Sequence, residues 1–169
     1  MNESTVLANL VWVLPRPRIP YYKGGFPLHF EKRLWRLLGK PDPKLILHPF
    51  GGMAEIGIRC DLLPEVKPDK VADAHELPFP NESFQVVICD PPYSDEENLK
   101  LYGIKRPLEY NKWVNEAVRV CKRNGFVVLY SSKWCPRPKG CSFWVRIIIL
   151  LKSHHSARIC SIFQKDGEG

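Results

Sequence analysis

The chain has 169 residues, 44% of them hydrophobic, which suffices for one domain with a substantial core and leaves no room for two full domains. Its formal net charge of +7 favours an anionic partner such as a nucleic acid, although a solvated basic surface would carry the same charge. The apolar runs at 7–14 and 144–151 are too short to be membrane elements. No CxxC pair predicts a metal site among the six cysteines. No secretory segment precedes these cysteines, so we expect a cytoplasmic protein without disulfides.

Residues 1–26 are interpreted as an irregular N-terminal arm, because an apolar stretch is followed by closely spaced prolines and glycines. We expect this arm to cover a single domain of residues 27–169 and to hold at most one short strand. Between residues 27 and 38, apolar side chains recur at helical spacing, and Gly39 and Pro41 predict the end of that helix.

Continuous apolar segments predict buried strands at residues 44–50, 84–89, 126–130, 144–151 and 158–163. A helical pattern from Tyr110 to Cys121, ended by Asn124-Gly125, lies between two of them and completes a βαβ unit. The last two strands are separated only by residues 152–157, which is too short for a parallel crossover. The predicted fold class is therefore α/β, with a mostly parallel sheet that ends in an antiparallel hairpin.

Three candidate groups lie where apolar runs of the chain stop, because ligands of open parallel sheets bind beyond the carboxyl ends of strands. The first is the turn from His48 to Gly52, whose glycines let a ligand approach the backbone, although an ordinary loop has the same composition. The others are Asp61 and Asp73, which can accept hydrogen bonds from ribose hydroxyls or from an adenine amino group. Each of the two could equally cap the turn that follows it.

The tetrapeptide Asp90-Pro91-Pro92-Tyr93 directly follows the buried segment 84–89 and predicts a catalytic turn. Two prolines cannot continue a central strand, and each fixes φ at about −65°, so the turn is rigid. The amino group of a base is a poor nucleophile because its lone pair is delocalised into the ring. Asp90 and the Pro91 carbonyl would each accept one N–H and free that lone pair, while Tyr93 stacks on the base. A purely structural turn is the alternative.

With these motifs in this order, the chain resembles the Rossmann-like amino-methyltransferases, which include DNA adenine-N6, DNA cytosine-N4 and RNA guanine-N2 enzymes. The resemblance covers about residues 25–165, through HPFGG at 48–52, CDLLPE at 60–65, ADAHELPFPNESFQVVICDPPY at 72–93 and EAVRVCKRNGFVVLY at 116–130. It implies a Rossmann-like fold, S-adenosylmethionine as the cofactor and methyl transfer to an amino nitrogen.

The resemblance also implies roles for individual residues. The methionine part of the cofactor would lie against the turn formed by His48, Pro49, Phe50, Gly51 and Gly52. Its ribose would bind Asp61 beside Leu62, and its adenine would bind Asp73 and Ala74. Residues 52–57 leave little room for the helix that normally joins the first two strands, so we expect a helix reduced to one turn, or a short or displaced strand before Asp61.

Target recognition would depend on residues 94–109 and 131–143, and this is too little chain for us to expect sequence-specific reading. The second segment combines basic and aromatic side chains and predicts contacts with phosphates and bases, through Lys133, Trp134, Arg137 and Lys139. The alternative is that its aromatic residues are core and its lysines are solvated. A separate recognition subunit or a homodimer is a further expected partner.

These motifs favour methylation of an exocyclic amino group in a nucleic-acid base, with DNA adenine-N6 or cytosine-N4 as the first expectation. An RNA base, a protein amide nitrogen and a small metabolite are alternative targets. A non-catalytic nucleic-acid-binding subunit that keeps the fold is the alternative from another class, and the short first crossover is the feature that favours it.

Overall fold

A computed structural model of the chain describes residues 9–16, 25–151 and 157–167. In these residues the strands are β1 (Asn9–Leu14), β2 (Ile46–His48), β3 (Ile58–Asp61), β4 (Lys70–Val71), β5 (Phe84–Cys89), β6 (Cys121–Ser131), β7 (Cys141–Leu151) and β8 (Ala157–Lys165). They form one sheet in the order β1-β7-β8-β6-β5-β2-β3-β4. Strand β8 runs antiparallel to β6 and β7, and the other neighbours are parallel. The predicted fold class is confirmed.

The helices of the described residues are α1 (Phe30–Leu37), α2 (Asp95–Tyr102) and α3 (Tyr110–Val120), with short 3-10 turns at Pro43–Leu45 and Pro64–Val66. Helix α1 lies within its predicted bounds and ends where Gly39 and Lys40 take positive φ angles of 81° and 57°. No helix of residues 9–16, 25–151 and 157–167 is long and apolar enough to cross a membrane.

Two hydrophobic cores lie on opposite faces of the sheet. Helix α3 buries Trp113, Val114 and Ala117 in the first core, together with residues of β5 and β6. Helix α1 buries Phe30 and Leu34 in the second core, where they pack on alternate residues of the same strands. Strand β5 has the pattern FQVVIC and is buried on both faces, which explains why its continuous apolar run predicted its bounds.

The end of α3 is a correction to the sequence analysis. The helix ends at Val120, and Cys121, which was placed on the helical face, begins β6. Phe84 pairs with Cys121 but Val86 pairs with Phe126, so β6 carries a bulge between these positions. Asn124, at a φ of 59°, lies in this bulge rather than at a helix terminus.

The strand of the N-terminal arm belongs to the central sheet. Strand β1 pairs with β7 in parallel over six residues, from Asn9 opposite Arg146 to Leu14 opposite Leu151. The remainder of the predicted arm at residues 1–8 and 17–24, and most of the predicted hairpin turn, residues 152–156, lie outside the described residues.

Strands β2 and β3 are parallel, and residues 49–57 between them contain no helix. Of the two expected alternatives, the single helical turn is absent, and the strand before Asp61 is short, with four residues. Side chains from outside the loop satisfy its backbone instead. The carboxylate of Glu31 accepts the N–H groups of Glu55 and Ile56 at 3.0 and 3.1 Å, and His48 Nε2 donates to the Ile56 carbonyl at 2.9 Å. The loop thereby pairs its buried polar groups as a helix would have done.

Candidate active site

An open cavity lies beyond the carboxyl ends of β2, β3, β4 and β5, with about 670 Å³ of empty space when the part open to solvent is included. The strand order reverses here, because β3 lies on one side of β2 and β5 lies on the other. Ligands of open α/β sheets bind at such a switch point. The lining residues are Pro49, Phe50, Gly52, Asp61, Leu62, Leu63, Ala72, Asp73, Ala74, His75, Asp90, Pro92, Asn98, Ile104, Arg106 and Leu108.

The turn after β2 contributes three of its five predicted residues to the lining, namely Pro49, Phe50 and Gly52. Gly51 packs against β3, where its N–H donates to the Cys60 carbonyl at 2.6 Å. A Cβ at this position would lie 2.6 Å from the Cβ of Arg59. Glycine is therefore required at residue 51 by contact with β3 rather than by contact with a ligand.

His48 is fully buried and lies outside the cavity lining. Its Nε2 donates to the Ile56 carbonyl and lies 3.9 Å from the Glu31 carboxylate, while its Nδ1 is buried without a partner in the described part of the chain. Burial lowers the pKa of His48 to about 4, so the imidazole is neutral near pH 7. The structure therefore gives His48 the role of bracing the loop that follows β2.

Asp61, at the end of β3, is held by two backbone amides. Its Oδ2 accepts the Gly52 N–H at 2.9 Å and its Oδ1 accepts the Leu63 N–H at 3.0 Å. Leu62, the residue after Asp61, lines the cavity and is 40% exposed. A carboxylate has about four acceptor sites, so these bonds fix its direction and leave capacity for ligand hydroxyls.

Asp73 lies in the cavity wall between Ala72 and Ala74 and is paired on both oxygens. Its Oδ1 accepts from the backbone N–H of His75 at 2.8 Å and from His75 Nδ1 at 2.6 Å, and its Oδ2 accepts from the Arg106 guanidinium. Burial alone would raise the pKa of Asp73, but the hydrogen bonds from His75 and the positive charge of Arg106 outweigh it and hold the pKa below its usual value. Asp73 is therefore an anion at neutral pH.

The other ring nitrogen of His75 defines its tautomer. Nε2 accepts the backbone N–H of Glu109 at 3.0 Å, so the proton of the neutral ring is on Nδ1 and is donated to Asp73. His75 therefore links the cavity wall at Asp73 to the segment that precedes α3.

The turn Asp90-Pro91-Pro92-Tyr93 leaves β5 at the same edge of the sheet. Asp90 and Pro92 line the cavity together with Asp61 and Asp73, whereas Pro91 and Tyr93 are half-buried outside the lining. The carboxylate that was predicted to be catalytic thus shares one cavity with the two carboxylates that were predicted to bind a cofactor.

Tyr93 is fixed by a residue of β8. Arg158 Nε donates to the Tyr93 hydroxyl at 3.1 Å, and the guanidinium lies 5.1 Å from the centroid of its ring. Nearby, Tyr130 is buried in edge-to-face contact with Phe26 and Phe30. Burial, and then the negative charge of Asp90, raises the pKa of Tyr130 well above its usual value. The turn that was predicted to be catalytic therefore lies near a cluster of aromatic side chains.

The residues of the predicted nucleic-acid segment lie at opposite ends of the strands, some at the carboxyl end of β6 and others at the start of β7. Lys133 and Trp134 follow the carboxyl end of β6, on the edge that holds the cavity. Arg137 donates to the Cys141 carbonyl at the start of β7, so Arg137 and the exposed Lys139 lie toward the opposite edge. The structure does not bring the four residues together.

Trp134 is 62% exposed, and the guanidinium of Arg146 lies 3.4 Å from its ring centroid. Trp134 therefore presents an accessible aromatic ring beside a cation, on the side of the sheet where the cavity lies.

Four cationic or titratable side chains were not identified from the sequence: His75, Arg106, Arg146 and Arg158. Arg146 had a visible signal, because it is a lone charge within an apolar strand. His75 stood beside Asp73 within a quoted motif. Arg106 and Arg158 had no local signal, since their partners are 33 and 65 residues away in the chain.

No protein-family model matches the sequence, and no curated protein is significantly similar to it. Several solved structures are similar in fold. TrmN from Thermus thermophilus has a TM-score of 0.63 at 16% identity, covering 85% of this chain and 50% of its own. The N-methyltransferase NodS from Bradyrhizobium japonicum has a TM-score of 0.53 at 10% identity, covering 82% and 98%.

A third structure is the geranyl diphosphate C-methyltransferase from Streptomyces coelicolor, solved in complex with Mg²⁺, geranyl diphosphate and S-adenosyl-L-homocysteine. It has a TM-score of 0.51 at 8% identity and covers 94% of this chain and 91% of its own. The chain spans about half the length of TrmN and most of the length of the other two. These identities are too low to compare activities, and they concern the fold alone. The chain has the Rossmann-like methyltransferase fold.

Proposed function

We propose that the chain binds S-adenosylmethionine in the cavity at the switch point and transfers its methyl group to an exocyclic amino group of a nucleic-acid base. The observation that carries this proposal is the arrangement of three carboxylates in one cavity: Asp61 and Asp73 in the wall, and Asp90 at the start of a rigid diproline turn. The fold that the chain shares with methyltransferases supports the same conclusion.

The residues present suit the cofactor. Asp61 is held by the amides of Gly52 and Leu63 with acceptor sites to spare, which suits the two hydroxyls of a ribose. The Asp73 carboxylate and the Ala74 backbone lie next to apolar side chains such as Leu62 and Leu108 in the cavity lining, which suits the polar edge and the flat face of an adenine ring. When bound, the cofactor supplies a methyl group activated by a sulfonium centre.

The diproline turn would activate the acceptor nitrogen. Asp90 accepts one N–H of the amino group and the Pro91 carbonyl accepts the other, which draws the nitrogen toward tetrahedral geometry and localises its lone pair. As the new C–N bond forms and the bond between the methyl carbon and the cofactor sulfur breaks, S-adenosylhomocysteine is left as the neutral product and the nitrogen gains positive charge, which the Asp90 carboxylate would stabilise. Asp90 then takes the proton that the methylated nitrogen releases.

A nucleic-acid target is favoured over a small metabolite by the cationic and aromatic residues on the cavity edge. Arg158 fixes Tyr93 of the turn, Lys133 and Trp134 follow the adjacent strand β6, and Arg146 of β7 stacks on Trp134. Such groups bind phosphates and stack on unpaired bases. An extended single strand or loop would need no base flipping, whereas a duplex would need it.

The test is transfer of tritiated methyl groups from labelled S-adenosylmethionine to DNA, RNA and protein. We expect label in nucleic acid, and a loss of at least about 100-fold in Asp90→Ala with unchanged cofactor affinity by calorimetry. Asp90→Asn keeps the shape of the side chain and should lose nearly as much. Glu65→Ala removes an exposed carboxylate outside the cavity lining and is the matched control.

Each other outcome identifies a different function. Label found only in protein would indicate amide methylation, and label found only in a small metabolite would indicate another acceptor. A native chain with no affinity for the cofactor would indicate a non-catalytic subunit and would overturn the proposal.

A further inference from the structure

The segment 103–109, between α2 and α3, lies over the cavity. Ile104, Arg106 and Leu108 alternate along it and all three line the cavity opposite the sheet. The segment thereby forms one wall of the proposed cofactor site.

Two kinds of contact hold this wall. At its base, the Leu108 N–H donates to Asp95 Oδ1 at 2.8 Å, and Asn98 Nδ2 donates to the Arg106 carbonyl at 3.2 Å. These bonds tie the segment to α2, its own neighbour in the chain. They do not reach the sheet.

Leu108 packs against the first core, and the polar contacts that reach the sheet side converge on Asp73. The Arg106 guanidinium pairs with Oδ2, and the Glu109 N–H reaches Oδ1 through the ring of His75. The His75 side chain is only 5% exposed, whereas that of Arg106 is 50% exposed. Water can therefore replace Arg106 much more readily than it can replace His75.

We infer that Arg106 is a positioning residue of the cofactor site, which latches segment 103–109 to Asp73 and controls how fast the cofactor enters and leaves. This role rests on the proposed function. Oδ1 of Asp73 already has two donors, but Oδ2 has one, so a second acceptor site on Oδ2 remains for an adenine amino group. Arg106 and the cofactor can therefore bind Asp73 together.

This geometry predicts that Arg106 slows both the association and the dissociation of the cofactor. The latch is closed without a ligand, so it opposes entry, and it can close again over a bound adenine, so it also opposes exit. Loss of Arg106 should raise the association and dissociation rates together and leave Kd nearly unchanged.

The experiment measures binding of S-adenosylhomocysteine by stopped-flow tryptophan fluorescence. Trp113 packs edge-on against Phe50 of the cavity wall at 5.4 Å and provides a signal from the protein itself. In Arg106→Ala we expect both rates to rise about two- to five-fold, the upper part of the range for an ion pair half exposed to water. Arg106→Lys keeps the charge but not the fork, and should restore part of the native rates.

Lys105→Ala is the matched control, because it removes the same charge from an exposed neighbour outside the lining. Amide exchange gives a readout without cofactor: the Glu109 N–H should exchange faster in Arg106→Ala and at the native rate in Lys105→Ala. If the native chain binds S-adenosylhomocysteine and Arg106→Ala leaves both rates unchanged, the role of Arg106 is wrong. If the native chain does not bind it, the proposed function fails, and this role of Arg106 fails with it.

Discussion

Acidification should destabilise the fold through His48. The ordinary histidine pKa is 6.5, and burial lowers that of His48 to about 4. Between these values the unfolded chain binds a proton that the folded chain excludes, so stability falls as the pH is lowered through this window. Integrated from about pH 7.5 to about pH 5, the contribution of this one group is a loss of about 2 kcal/mol in the free energy of unfolding.

Glu31 contributes with the opposite sign. Burial raises its pKa from 4.5, so the folded chain takes up this proton more readily than the unfolded chain and gains stability as the pH falls. The pH dependence of the native chain therefore contains both effects, and a difference between variants is needed to isolate His48.

Urea unfolding at several pH values, in the native chain and in His48→Gln, makes this comparison. Glutamine keeps an N–H donor for the Ile56 carbonyl but does not titrate, so His48→Gln should lose about 2 kcal/mol less than the native chain on acidification. His29→Asn removes an exposed histidine at a φ of 71°, which asparagine tolerates, and serves as control. The same loss in His48→Gln and in the native chain would refute the reasoning.

Two further substitutions test the walls of the cavity. Gly51→Ala should lower the free energy of unfolding by about 1–3 kcal/mol in urea titrations. The added Cβ would lie 2.6 Å from Arg59 Cβ and 2.8 Å from the Cys60 carbonyl oxygen. Unchanged stability would show that β3 can move to accommodate the methyl group, and would contradict this prediction. Asp61→Asn replaces one acceptor with a donor that faces a backbone amide, and should weaken S-adenosylhomocysteine binding about ten-fold in calorimetry. Unchanged affinity would show that Asp61 does not bind the cofactor.

The sequence predicted those features that depend on local pattern. The run at 84–89 is bounded by Ser83 and by a diproline turn, and β5 has these bounds in the structure. The short connection between the last two strands correctly predicted that they are antiparallel. The same reasoning failed at Asn124-Gly125, because the turn signal is the same for a helix terminus and for a bulge. Only the pairing of β6 with β5 distinguishes them.

Features that depend on distant contacts were not predictable. Spacing alone showed that the first crossover is short, but not that Glu31, more than 20 residues earlier in the chain, would bind its amides. The partner of β1 could not be read from an apolar stretch with no turn to fix its neighbour. The pairing of Arg106 with Asp73 joins two loops whose proximity only the fold determines.

Mass spectrometry of nucleosides is the most direct test of the central claim. Mixed DNA and RNA are incubated with the native chain and S-adenosylmethionine, then digested and compared with the same reaction using Asp90→Ala. We predict a base methylated on its exocyclic amino group with the native chain and none with the variant. Cofactor binding without any methylated base, or equal methylation by both proteins, would contradict the account.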